Sequence, residues 1–247
     1  MQWRKLVNYE REICRAAAAI AAVSEADRQA LRQLDPTRTI HIVSNGISMD
    51  EYPVYPAAPS NAAARLLFTG KMDYRPNIDA VLWFGRHVLP LIQREMPNVI
   101  FQIVGMNPHP RLDEMRNMPG VEITGAVASI QPYMAAASVY VIPLRVGGGT
   151  RFKALEALAS GQAIVSTRLG VEGIPVQHEQ ELLLADTPAD FAAATVRLLR
   201  HDAASKLLVE RLGQAARAFA AAHYDWRQIT PMFEQIYAQA AASANDR

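Results

Sequence analysis

A parallel α/β sheet with helices on both faces is the fold that the sequence predicts, and two observations predict it. Short β-branched runs alternate with helical stretches, from RLLFTG at 65–70 to ELLLAD at 181–186, the pattern of strands joined by crossover helices. Four of the runs end in glycine, at Gly70, Gly105, Gly125 and Gly147 to Gly149. Glycine lets a ligand approach the backbone, and it stands here at the strand ends where open α/β sheets bind ligands. With 247 residues, half of them apolar, the chain can bury a substantial core in one large or two modest domains.

Each element has its own signal. Gln2 to Arg15 is charged with helical periodicity and leads into AAAAIAAVS, which reads either as more helix or as a short buried strand. Ser24 is a good N-cap with Asp27 three residues on, so a second helix runs to about Leu34, ahead of Pro36. TIHIV at 39–43 alternates as a strand and stops at the Asn45-Gly46 turn. From Met49 to Ala64 the composition shifts to Pro, Ala, Ser and Asn, which predicts a linker. RLLFT then gives a strand, Asn77 to Glu95 a helix, and NVIFQIVG, VEITG, VYVIPL, QAIVST and ELLLAD further strands. SIQPYMAAA and the segment after the triple glycine supply helices between them. Beyond Thr187 the chain is helical, through PADFAAATVRLLR, SKLLVERLGQAARAFAAAH and WRQITPMFEQIYAQA.

The formal net charge is +1, with acids and bases scattered, so nothing favours a nucleic acid, and a small-molecule partner is expected. Cys14 is the single cysteine, and no Cys/His cluster has metal-ligand spacing, so no metal site is expected. The amino terminus lacks the apolar core of a signal peptide, and no run approaches ~18 apolar residues. These features predict a cytoplasmic protein, or one peripheral at the inner face of the membrane.

The chemistry concentrates in RVGGGTRFKALEALASG at 145–161. Gly147, Gly148, Gly149 and Thr150 lead into a helix, and such a loop presents backbone N–H groups and the positive end of the helix dipole to an anion. Arg151 and Lys153 stand in the first turn, where cations oppose that dipole unless an anion is bound. A bound phosphate is the stronger reading of the pair, and solvated surface charges the weaker. With a helix starting near Thr150 and about 100° per residue, Phe152, Leu155 and Ala159 form one apolar stripe with Glu156 at its edge. A carboxylate there needs a partner. Lys153 or Arg168 would serve structurally, and the vicinal hydroxyls of a ribose would serve functionally. The sequence contains no GxxxxGK[ST] loop, no HExxH and no DxD pair.

The motifs SEADRQAL, SNGI, LLFTGKMDYRPN, VEITGAV, YVIPLRVGGGTRFKALEALASGQAIVST and LGVEGI occur in an order that resembles the C-terminal half of a family 4 retaining glycosyltransferase of the GT-B fold. The GGGTRxKxLEAxAxG form is similar to a branch associated with exopolysaccharide and cell-surface polysaccharide assembly. The resemblance implies a Rossmann-like domain that binds a nucleoside diphosphate sugar, UDP- or GDP-linked, without a separate cofactor. It implies a catalytic set of Lys71, Arg151 and Glu156, with Glu156 on the ribose and the cations on the diphosphate. Gly70, Lys153 and the loop from Gly147 to Thr150 would contact diphosphate and sugar, and Gly125, Ala126 and Val127 would pack on the base.

Two positions depart from that pattern. Many relatives have a glutamate where this chain has Gly148, and a lysine where it has Asn77. The resemblance also implies a division into a remnant of the N-terminal acceptor-side domain at 1–48, a linker at 49–64, a nucleotide-sugar domain at 65–225 and a returning helix at 226–247. That helix would leave Ile229, Phe233, Ile236 and Tyr237 partly uncovered, for an N-terminal-domain partner chain or a homodimer. The expected activity is metal-independent glycosyl transfer to a glycan, lipid-linked or small-molecule acceptor. The alternative is a nucleotide-sugar-binding subunit that needs a second chain, and an epimerase or phosphorylase is the weakest reading.

Overall fold

The structure, a computed structural model, describes residues 2–55 and 63–245. The stretch 56–62 of the predicted linker lies outside the described residues. The chain divides into two compact units, one of residues 1–48 with 222–247 and one of residues 49–221.

In the first unit, α1 (Gln2–Ala16) is followed by β1 (Ile20–Ala22), α2 (Glu25–Leu34) and β2 (Ile40–Ile42). The ambiguous alanine run is therefore a strand at Ile20–Ala22, held by parallel pairing of Ile20 with Ile40 and of Ala22 with Ile42. The Ser24 cap forms as predicted, its hydroxyl accepting from the Asp27 N–H at 3.2 Å. Beyond α2 the Asp35 carboxylate accepts from the backbone and hydroxyl of Thr37 at 3.1 and 2.6 Å, which fixes the turn around Pro36.

The second unit opens with a 3-10 turn at Met49–Glu51, inside the stretch predicted to be irregular. Then come β3 (Arg65–Thr69), α3 (Arg75–Trp83), α4 (Leu89–Glu95), β4 (Ile100–Val104), α5 (Asp113–Arg116), β5 (Val121–Ile123), α6 (Gln131–Ala136) and β6 (Val139–Ile142). α7 (Phe152–Ala159), β7 (Ile164–Ser166), β8 (Leu183–Leu184), α8 (Pro188–Leu199) and α9 (Ala203–His223) complete it. The helix predicted from Asn77 to Glu95 is α3 and α4 joined through a π-turn at Phe84–Val88. All six strands are parallel, in the order β5-β4-β3-β6-β7-β8. β3, β4, β6 and β7 are buried along almost their whole length, as strands covered on both faces must be.

The core is packed around aromatic side chains. Phe84 lies 4.4 Å from Phe101 and 5.6 Å from Phe191 between ring centroids, and all three are fully buried. This cluster ties the π-turn to β4 and α8. α8 begins as its sequence dictates, with Pro188 in the first turn and the Thr187 hydroxyl accepting from the Asp190 N–H.

The chain ends in α10 (Trp226–Asn245), which belongs to the first unit. There Ile47 donates to the Tyr224 carbonyl at 2.7 Å, and Trp226 donates to the Ile47 carbonyl at 3.2 Å. Gly46 is required at this crossing, because a Cβ on it would lie 2.4 Å from the Trp226 ring. Of the apolar face predicted to be partly uncovered, Ile229 is buried, Phe233 and Ile236 are half-buried, and Tyr237 is 71% exposed.

Candidate functional site

The strand order places the site. Along β5-β4-β3-β6-β7-β8 the direction of winding reverses between β3 and β6. The loops leaving two such neighbours go to opposite faces of the sheet and leave a crevice at their carboxyl ends. Gly70 and Lys71 leave β3, and the segment from Pro143 to Arg151 leaves β6. The third loop, after β4, approaches so closely that a Cβ on Gly105 would lie 1.7 Å from the Gly70 carbonyl oxygen.

The glycine loop takes a backbone path that side chains resist, with φ of +108° at Gly147 and +86° at Gly149. Gly147, Gly148 and Gly149 are exposed, and a Cβ on Gly148 or Gly149 would meet open space. Thr150 is half-buried at the end of the loop. The helix starts at Phe152, later than predicted, and two corrections follow from that shift. Phe152 is 52% exposed and lies outside the buried stripe that Leu155 and Ala159 form. Arg151 sits at the N-cap, 6% exposed, and its guanidinium turns back into the loop. It donates to the carbonyls of Gly147 at 2.9 Å, Gly148 at 3.1 Å and Leu169 at 3.3 Å, with the Glu172 carboxylate 3.7 Å away. Arg151 therefore holds the loop in shape and brings a fixed positive charge beneath it.

Lys153 is also no solvated surface charge. Its Nζ donates to the Thr69 carbonyl and to Asn77 Oδ1, each at 2.7 Å, and lies 3.9 Å from the centroid of the Phe68 ring. Asn77 Nδ2 in turn donates to the Lys71 carbonyl at 2.8 Å. Asn77 thus joins the start of α3, the β3 loop and α7 through one side-chain amide. Burial brings the Lys153 pKa down to about 7; the Glu156 charge opposes that shift and the Arg151 charge adds to it. Lys71 itself, which follows Gly70 at the end of β3, is exposed.

Glu156 lies one turn beyond Lys153. The Tyr52 hydroxyl donates to its Oε1 at 3.1 Å. Burial raises the Glu156 pKa, while that hydrogen bond and the Lys153 charge work the other way. Neither partner suggested by the sequence forms an ion pair with it: Lys153 is held by Thr69 and Asn77, and Arg168 pairs with Asp186 at 3.2 Å. Burial, together with the neighbouring Glu156 charge, also raises the Tyr52 pKa, so the phenol is a neutral donor. Tyr52 is fixed through its backbone, since Arg217 of α9 donates to the Tyr52 carbonyl at 2.6 Å and to the carbonyl of Ala159 at the end of α7.

Sequence reasoning missed Tyr52, Arg217 and the bracing role of Asn77. Tyr52 is 104 positions from Glu156 and sits in a proline-rich stretch, so no periodicity could have paired them. The remaining predicted positions, Gly125, Ala126 and Val127, follow β5 at the far side of the sheet from β6, and a Cβ on Gly125 would meet no neighbour. Behind the site, Thr69 and Tyr140 share a hydrogen bond between their hydroxyls. Among the described residues no three His, Cys, Asp or Glu side chains converge as a metal site would need, and no helix is long and apolar enough to cross a membrane.

Comparison with known proteins supplies the family. A curated relative, an uncharacterised 44.6 kDa protein in the cps region of Klebsiella pneumoniae, is 21% identical over 172 residues, which are 66% of this chain and 43% of that protein. Among solved structures the chain resembles TarM from S. aureus, with a TM-score of 0.73 at 16% identity over 93% of this chain and 45% of that one. It resembles sucrose-phosphate synthase from Thermosynechococcus elongatus, with a TM-score of 0.72 at 20% identity over 97% of this chain and 62% of that one. It also resembles HepE from Anabaena, solved with UDP and glucose, with a TM-score of 0.71 at 17% identity over 95% of this chain and 66% of that one. The chain thus spans less than half the length of TarM and of the Klebsiella relative, and the shared fold is that of the GT-B glycosyltransferases. The family described as glycosyl transferases group 1 matches residues 63–201, more than half of the chain, and the chain belongs to that family.

Proposed function

We propose that the chain is the donor-binding half of a retaining glycosyltransferase of family 4, and that it holds a UDP- or GDP-linked sugar without a metal ion. One observation carries this reading. Glu156 is a half-buried carboxylate one turn from an open glycine loop, its Oε1 receives a neutral phenol, and no hydrogen bond reaches its Oε2 among the described residues. A ribose supplies two vicinal hydroxyls to such a carboxylate. The diphosphate then falls at the glycine loop, between Lys71, Lys153 and the start of α7. As the bond from the anomeric carbon to the diphosphate breaks and the sugar passes to an acceptor hydroxyl, which loses its proton, negative charge grows on the leaving oxygens, and Lys71, Lys153 and the buried Arg151 guanidinium stabilise it. Glu156 positions the nucleoside and takes no part in bond breaking.

The Klebsiella relative's place in a cps region supports an acceptor from polysaccharide or glycoconjugate assembly, worked on at the cytoplasmic side of the membrane. The UDP found in complexes of HepE and TarM supports the nucleotide. A second reading is a non-catalytic subunit that binds the nucleotide sugar and needs a partner chain for the acceptor half.

Calorimetry with UDP and GDP tests the site. Glu156→Ala should remove binding while circular dichroism stays native, and unchanged affinity in that folded variant would sink the ribose assignment. Lys71→Ala should weaken the diphosphates at least tenfold more than the nucleosides. Donor hydrolysis by the chain alone distinguishes a residual enzyme from a binding subunit.

A further inference from the structure

The Lys153 and Arg151 side chains direct their N–H groups to backbone carbonyls. Lys153 Nζ donates to the Thr69 carbonyl and to Asn77 Oδ1, each at 2.7 Å, and the Phe68 ring centroid lies 3.9 Å away. These partners take up the two N–H groups of an amine or the three of an ammonium, so in either charge state none is left for a phosphate oxygen. Arg151 donates to the carbonyls of Gly147 and Gly148. In a trans peptide the N–H points opposite to the preceding C=O. With both carbonyls turned in to the guanidinium, the N–H groups of Gly148 and Gly149 point away from it, and no hydrogen bond reaches either among the described residues.

The turn after β3 is built the same way. Its Thr69 carbonyl is held by Lys153, and its Lys71 carbonyl by Asn77 Nδ2 at 2.8 Å. Between them the Gly70 carbonyl faces Gly105, where a Cβ would lie 1.7 Å from its oxygen. Gly105 follows β4, which flanks β3 on the side away from β6. The Lys71 N–H, opposite that carbonyl, is therefore directed to the β6 side, where the glycine loop leaves the sheet. No hydrogen bond reaches it among the described residues, whereas Gly70 donates to the Val104 carbonyl at 3.0 Å and Met72 to the Met106 carbonyl at 2.9 Å.

We propose that the backbone N–H of Lys71 is a phosphate ligand of this site, and that Lys153 and Asn77 are the positioning residues that aim it. The inference rests on the nucleotide reading of the site. Lys153 acts on the phosphates through space, while its hydrogen bonds hold the turn. Asn77 joins the Lys153 nitrogen to the carbonyl on the other side of Gly70. The clamp closes directly on that glycine, since a Cβ there would stand 2.6 Å from Asn77 Nδ2 and 3.0 Å from Lys153 Nζ. An anion entering the crevice meets the Lys71 N–H from one loop and those of Gly148 and Gly149 from the other, none of them engaged elsewhere among the described residues.

NMR of the isotopically labelled full chain tests this by following its backbone amides during titration with UDP, GDP and uridine. With UDP the Lys71 amide proton should move downfield together with those of Gly148 and Gly149, as N–H groups do on bonding an anion, and with uridine none of the three should. Asn77→Ala exchanges one neutral side chain for another, so it removes no charge from the site. It should abolish the Lys71 shift, keep those of Gly148 and Gly149, and weaken UDP roughly tenfold, the effect of one hydrogen bond to a charged group, with uridine affinity unchanged. Lys153→Met should also abolish the Lys71 shift, and Asn77→Ala decides the matter if that variant fails to fold. UDP binding that moves the glycine-loop amides and leaves Lys71 unmoved overturns the proposal and leaves the nucleotide site standing. A Lys71 shift that survives Asn77→Ala overturns the positioning roles, and so does an equal loss of UDP and uridine affinity, which assigns Asn77 to folding alone. If neither UDP nor GDP moves any amide, the nucleotide reading fails and this inference with it.

Discussion

At Glu156 and Lys153, one helical turn apart, burial acts on opposite charges in opposite directions, raising the carboxyl pKa and lowering that of the amine. Both groups lose stability by being ionised in the fold, as ligand-binding groups often do. For Lys153 the native state binds fewer protons than the unfolded state between about pH 7 and 10.5, so this group's contribution to stability rises with pH across that window. The wild type should therefore gain on Lys153→Met as pH rises from 7 to 10, measured by urea unfolding of both proteins, and parallel curves would show that burial does not shift the amine. Glu156 has the opposite slope, since its native form holds protons above the ordinary value of 4.5. Tyr52→Phe removes a hydrogen bond that favours the ionised form of this carboxyl against the effect of burial. UDP affinity in that variant should fall at pH 5 to 6 by severalfold more than at pH 8, and a uniform loss would assign Tyr52 to packing alone.

At the scale of elements, the site depends on how closely the loops after β3 and β4 meet. A Cβ on Gly105 would lie 1.7 Å from the Gly70 carbonyl oxygen, and a backbone atom cannot turn aside as a flexible side chain can. Gly105→Ala should therefore push the two strand ends apart, lowering stability by about 1–3 kcal/mol and displacing Asn77 and Lys153 with them. Denaturant titration checks the first effect and nucleotide calorimetry the second. The start of α7 shows how far one element boundary redirects a side chain. Beginning at Phe152 rather than near Thr150, the helix leaves Arg151 in a non-helical conformation from which the guanidinium reaches back to Gly147 and Gly148. Helix periodicity locates most of the apolar face of α7, but not its first residue or the contacts of the Arg151 guanidinium.

Across the whole molecule, a ligand that binds only the folded chain stabilises it by mass action. UDP or GDP at 100 times its Kd should add about 2.7 kcal/mol, which for a chain of this size raises Tm by about 5–11 °C at 2–4 °C per kcal/mol. Differential scanning fluorimetry reads that directly, and the shift should vanish in Glu156→Ala. Much of this architecture is legible in the sequence by itself. β-branched runs between helical stretches dictate a parallel sheet, glycine recurs at the carboxyl ends of its strands, and an acid stands out in the apolar helix after a triple glycine. These are local signals, set by propensity and by spacing along the chain. Only the tertiary structure decides which distant groups complete the site. It brings Tyr52 to Glu156, makes Asn77 the brace of Lys153, and seats the Arg151 guanidinium beneath the glycine loop as its buried support. Those contacts join residues that are 104 and 76 positions apart in two cases, or that depend on where a helix begins in the third. They arise because desolvated charges must find partners wherever the fold supplies them, and no periodicity of the chain encodes that search.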